Sequence, residues 1–400
     1  MQRKFLMVLA ATSLAFAATS PAGATAPDTT NTSGPSHTGA KLVISEKISG
    51  HILPDMTDTF VMYSRADRRA NVVIKAHVDG WLGRFANHYN VGKPPLHADI
   101  FRMDQNDAYK VLFHQKQYWQ CQLEGCPTIY KFLESVMKPS DEASQDASTW
   151  HPTGTNDCPL TPVSHDYRVQ KTAQSKTING FPAHLYVATF KTVYADSAHR
   201  TNTSTLKWTF WTTPITGEIQ RIWAIHEALA KRFLKSSGAN DNPWARFVSR
   251  KVWQPLDAFL GDTDSHAHNW SGDVTSKLAQ VEGYPVRIKV AWYVDAHACP
   301  APKPQTESDT QTLADNAGGG LRGMLGGLIR KHVEKHVEKA IDKHFQPDPD
   351  TPVFEYDRNI LSAKITSIPD SVFHVPAGFV RKPTPKVSDV DWYDRHDKTD

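Results

Sequence analysis

No run of about 18 apolar residues occurs in this 400-residue sequence, so it holds no candidate membrane-spanning helix. No dense basic block occurs either. With a formal net charge of +3 and 22% charged residues, the electrostatic footprint of a nucleic-acid binder is missing. The sequence motifs of common catalytic devices are absent too: there is no G-x-S-x-G elbow and no H-E-x-x-H helix. The Gly-rich stretch "NAGGGLRGMLGGLIRKH" lacks the Lys-Ser/Thr pair of a phosphate loop, so nucleotide binding is not expected, and no cofactor is. Cysteine is scarce, with four residues and no C-x-x-C pair of the kind that clamps zinc.

The N-terminus supplies what the interior lacks. Gln2-Arg3-Lys4 is a short basic start, Phe5–Ala18 is apolar, and "PAGATAPD" offers small-x-small cleavage positions. This pattern predicts a signal peptide over residues 1–24, and hence a periplasmic or secreted protein. Export permits disulfides. Cys121, Cys126, Cys158 and Cys299 all follow the leader and allow three pairings. The short loop favours Cys121–Cys126, which leaves Cys158–Cys299, but spacing does not decide between them.

Residues 25–40 are polar and rich in Thr, Ser, Pro and Gly, and predict a disordered lead-in. One domain is expected over 41–382, with insertions at 137–165 and 296–325 and a disordered tail over 383–400. Short alternating runs fill the domain. "ADIFRM" and "AYKVLF" flank the polar turn "DQND" and predict a hairpin, and "SRADRR" separates another strand pair. "GEIQRIWAIHEALAKRFLKSSG" places Ile219, Ile222, Trp223, His226, Leu229, Ala230 and Phe233 on one helical face. A second helix is expected after Asn242-Pro243, and a third from about Leu325. About ten or eleven strands around a helical block predict an α+β fold with antiparallel pairing.

One device occurs twice. "NGFPAHLYVATF" begins at Asn179 and "EGYPVRIKVAWYV" at Glu282. In each, Gly supplies a turn and Pro opens a strand without wasting a donor. No acid, base or nucleophile recurs in both copies, so the repeat is structural rather than catalytic.

Two histidine-bearing stretches qualify as metal ligands. In "GDTDSHAHNW", Asp262, Asp264, His266 and His268 alternate and would share one side of an extended chain. His332 and His336 stand one helical turn apart, beside an Ile329/Val333/Val337/Ile341 stripe that reads more simply as a packed face with a charged back. The segment Gly318–Gly327 fits a linker, or a lid that touches a membrane surface transiently.

Several motifs, taken in order, resemble those of one family. They are "FVMYSRADRRANVVIK", "ADIFRMDQNDAYKVLFHQKQYWQC", "INGFPAHLYVATF…LKWTFWTTP" and "SAKITSIPDSVFHVPAGFV". With them the chain resembles uncharacterised exported bacterial proteins carrying a LolA-like domain of unknown function, within the LolA/LolB-like lipoprotein-carrier superfamily. The resemblance implies a curved, incompletely closed antiparallel β-barrel wrapping helices. It also implies a concave apolar side suited to an apolar small molecule or a lipoprotein acyl chain. On that side we expect Leu185, Val187, Ile288, Val290 and Trp292, with Trp223 and Leu328 from the helices. The resulting expectation is a non-enzymatic binding or carrier protein. Its alternatives are a metal-binding protein or metal-dependent hydrolase built on Asp264, His266 and His268, and an envelope assembly partner. No oligomeric state is legible.

Overall fold

A computed structural model describes residues 36–50, 55–79, 92–123, 159–237, 277–278, 280–298 and 349–383. The described strands are β1 (Ser36–Ser49), β2 (Met56–Ser64), β3 (Arg68–Val78), β4 (His97–Arg102), β5 (Asp107–Leu112), β6 (Gln117–Gln122), β7 (Thr161–Ile178), β8 (Phe181–Ala195), β9 (Thr201–Thr213), β10 (Tyr284–Ala296), β11 (Phe354–Pro369) and β12 (Val380–Arg381). They form one sheet in the order β12-β6-β5-β4-β3-β2-β1-β11-β10-β9-β8-β7. Helix α1 (Gly217–Ser237) leaves the sheet after β9, and a 3-10 turn, Asp370–Phe373, follows β11.

The fold is therefore mainly β rather than α+β. Among the described residues it has one helix and a 12-stranded sheet, not closed, with β12 and β7 at its edges. The pairing is also mixed rather than wholly antiparallel, because β12 runs parallel to β6. Order begins earlier than composition suggests. Ser36–Ala40 reads as a polar lead-in, yet it pairs in register with Ile365–Pro369, because a partner strand satisfies backbone groups whatever the side chains. Likewise Thr161–His165, expected within an insertion, opens β7. The second and third predicted helices, Gly318–Gly327, both histidine stretches and the leader fall outside the described residues.

The hairpins follow the sequence. β4 and β5 pair around a turn in which Asn106 takes a φ of 58°. β7 and β8 meet at Asn179-Gly180, with φ values of 49° and 87° that select a tight turn of this kind. Gly283 precedes β10 with a φ of 93°. Both copies of the repeated device thus open a strand, but they differ in surroundings. A Cβ on Gly180 would meet nothing within 4 Å, whereas one on Gly283 would lie 2.8 Å from the Thr213 carbonyl oxygen.

Alternation separates two faces. On the inner face, one cross-strand row runs Ala188–Trp208–Val290–Tyr356–Ile48–Met56–Val78, unbroken across seven strands and buried throughout. A parallel row, Ile360–Ile44–Phe60–Val73, lies on the same face further along the strands. The outer face carries a smaller cluster of Ala70, Ala98, Ile100, Val111 and Ile368, closed by Phe373 from the 3-10 turn. Arg65 fastens that turn. Its guanidinium lies 4.9 Å from the Phe373 ring centroid, and it pairs with Asp370. The sheet also curls: the amide of Asn179, at the tip of β7–β8, donates to the Ile360 carbonyl on β11 at 2.8 Å although β9 and β10 separate these strands in the sheet order.

Candidate ligand-binding site

α1 forms because its apolar residues recur at helical spacing and meet an apolar surface. Ile222 joins Leu42, Ile44, Phe60 and Met62 in one cluster, so the helix packs on the inner face. At its first turn Glu218 accepts a hydrogen bond from the Ile365 backbone N–H at 2.6 Å, fixing the helix start to β11. Helical spacing then carries Trp223 and His226 to Tyr284 at the start of β10. Trp223 meets the Tyr284 ring edge-on, with centroids 6.2 Å apart. The Tyr284 hydroxyl lies 3.2 Å from His226 Nδ1.

Between the two apolar rows the register inserts a charged one, Arg358–Glu46–Asp58, across β11, β1 and β2. Tyr356 donates its hydroxyl to Glu46 Oε1 at 2.8 Å, and Arg358 Nε stands 3.7 Å from the same oxygen. On β3, Arg69 and Asn71 face the same side, since residues two apart share a face. Asn71 pairs in register with Asp99, which holds Lys110 at 3.0 Å. Arg69 lies with its guanidinium 4.7 Å from the Phe101 ring centroid.

These groups share one electrostatic neighbourhood. Burial lowers Arg69 to about 10; Arg358 pushes in the same direction, and Asp99 and Glu46 oppose it. Burial lowers His226 to about 3, assisted by Arg358 and Arg69, so its imidazole is neutral near pH 7. Burial also raises the Tyr284 hydroxyl, which stays protonated. Arg69 Nε, His226 Nε2 and Asn71 Oδ1 are among the enclosed polar atoms that have no hydrogen-bond partner. Around them the second cluster keeps half-buried apolar side chains, among them Phe181, Trp211, Ile219, Trp223 and Ile225. A charged, incompletely paired centre therefore sits beneath an incompletely covered apolar rim.

The residues expected at this site are distributed unevenly. Ile288, Val290 and Trp292 do face inward, but they are at most 2% exposed and belong to the solid core of the first apolar cluster. Trp292 Nε1 is satisfied by Ser204 Oγ at 2.7 Å. Trp223 lies at the second cluster, beside Tyr284. Leu185 is buried and pairs with Trp211, next to the equally buried Tyr186, while Val187 is half-buried. Leu328, Asp264, His266 and His268 lie outside the described residues. No group of three or more metal-ligating side chains occurs among the described residues. Cys121 on β6 is disulfide-bonded, while Cys126, Cys158 and Cys299 lie outside the described residues. Sequence reasoning missed Arg69, Arg358, Glu46 and Tyr284 and took His226 only as part of an apolar face. The available signal was phase. Glu46 stands between Ile44 and Ile48, and Arg358 between Tyr356 and Ile360, at positions where alternation calls for apolar residues.

Among the described residues no helix is long and apolar enough to cross a membrane. No family model and no curated relative matches the sequence. In structure, the chain is similar to a LolA superfamily protein from Nitrosomonas europaea, at 8% sequence identity and a TM-score of 0.23, over 84% of this chain and 90% of that chain.

Proposed function

We propose that this protein is an exported, non-enzymatic carrier that holds the acyl chain of an amphiphile against the inner face, beneath α1. The observation that supports it is the half-buried apolar rim of Phe181, Trp211, Ile219, Trp223 and Ile225 bordering that face. A fully packed core would leave these large side chains covered. Surface helices, in turn, normally turn such residues inward. An acyl chain lying along the rim completes the burial. Each methylene transferred from water contributes about 0.8 kcal/mol, so a chain of about twelve supplies about 10 kcal/mol gross. Lost translational and rotational freedom takes back about 4 kcal/mol or more. The remainder suits reversible, micromolar-range holding, as a carrier requires.

Native mass spectrometry after mild purification tests this. A co-purifying mass of lipid size, displaced by a fluorescent fatty-acid probe, is the expected result. A chain that arrives empty and takes up no probe would refute the proposal.

A further inference from the structure

We infer that the polar centre of the inner face is a headgroup site, in which Arg69, with His226 as a second donor, receives the carboxylate of a single-chain amphiphile. This rests on the proposed acyl-chain function and names the chemistry of its other end.

Arg69 is a cation with a counter-charge missing. The carboxylates nearest to it in effect are Glu46 and Asp99. Both are already engaged, Glu46 by Tyr356 and Arg358 and Asp99 by Lys110. What Arg69 touches is the face of Phe101, which stabilises a cation without neutralising it. A half-buried guanidinium whose enclosed Nε has no acceptor is costly unless an anion completes it. A carboxylate is the natural complement, because its two oxygens match the guanidinium fork.

His226 adds direction. In the tautomer whose Nδ1 accepts from the Tyr284 hydroxyl, the single proton of the neutral ring sits on Nε2, the atom with no partner. It then donates to the same anion, while the neighbouring Asn71 amide turns to suit it. A cationic headgroup meets Arg69 and Arg358 together and is repelled. A neutral one leaves Arg69 unpaired. A doubly charged phosphate faces Glu46 and Asp99, which oppose the second charge. A monoanion fits, and the phosphodiester of a phospholipid is the competing source of one.

The test compares a fluorescent polyene fatty acid with its methyl ester, binding to the full chain freed of co-purified lipid. The expected result is at least a tenfold preference for the acid in the unaltered protein. Arg69→Met should abolish that preference while keeping ester affinity, and Arg69→Lys, which keeps the charge, should restore part of it. His226→Gln serves as a second variant that leaves the sheet untouched, with an expected threefold or greater loss for the acid alone. Equal affinity for acid and ester in the unaltered protein, or a preference that survives Arg69→Met, overturns the headgroup site and leaves the carrier function standing. If neither probe binds, the carrier function fails and the inference with it. A phospholipid that displaces the acid more tightly than the acid displaces it overturns the choice of carboxylate.

Discussion

Arg69→Met should make the ligand-free protein more stable. The substitution removes a half-buried positive charge and keeps much of the side-chain volume in contact with Phe101. The Arg69 guanidinium is lowered to about 10, well below its ordinary value, chiefly by burial. At about 1.4 kcal/mol per pKa unit, the charged form is penalised by about 3 kcal/mol at neutral pH. The contact with Phe101 recovers about 0.5–1 kcal/mol, and partial solvent access reduces the penalty further. The net expectation is a gain of about 1–2 kcal/mol, read as a higher urea midpoint with an unchanged slope. The opposite sign applies with ligand present. Fatty acid at 100 times its dissociation constant stabilises the unaltered protein by about 2.7 kcal/mol, and the Met variant should lose most of that increment. A ligand-free Arg69→Met protein that is less stable by more than about 1 kcal/mol would refute the reasoning, because Arg69 would then be satisfied by the fold itself.

The two Gly-aromatic-Pro turns should respond differently to the same change. Gly180→Ala strains only the backbone, at about 1–2 kcal/mol, because its Cβ would sit in open space. Gly283→Ala adds a Cβ 2.8 Å from the Thr213 carbonyl and should cost clearly more, so equal urea midpoints for the two variants would count against the proposed crowding. His226 predicts an acid sensitivity. Its folded value of about 3 lies below the ordinary 6.5, so above pH 6.5 neither state is protonated and the group contributes nothing. As pH falls from 6.5 toward 3, the unfolded chain takes up a proton that the folded chain refuses. Stability should then drop by up to about 1.4 kcal/mol per pH unit. His226→Gln should remove that slope between pH 6.5 and 5, and identical slopes would contradict it.

Much of the sheet was legible because local rules and tertiary structure agree. "DQND" and Asn179-Gly180 both carry the turn chemistry that hairpins demand, and α1 shows its period plainly. Three features were not legible. Ser36–Ala40 is ordered by its partner strand, which no local pattern reports. The phase of β8 is not a simple alternation, since the neighbours Leu185 and Tyr186 are both buried, so composition does not say which set faces inward. The polar centre gathers Arg69, Arg358 and His226 from β3, β11 and α1, and only the curl of the sheet brings them together. A lone arginine in a strand reads as surface, and its meaning depends on neighbours nearly three hundred residues away in the chain.

The pairing of β1 with β11 also constrains how the protein is made. The Tyr356–Glu46 hydrogen bond closes a loop of 310 residues, and β1 has a neighbour on its second edge only once β11 exists. β4–β6 and β7–β9 can each form by local hairpins, but the two halves of the sheet join only through β11. Pairing at such separation is the slow kind. Until it happens, the edge of β1 and the uncovered inner row present a sticky surface to other chains. Assembly is thus non-local by topology: β1 is completed only by a strand 310 residues further along the chain.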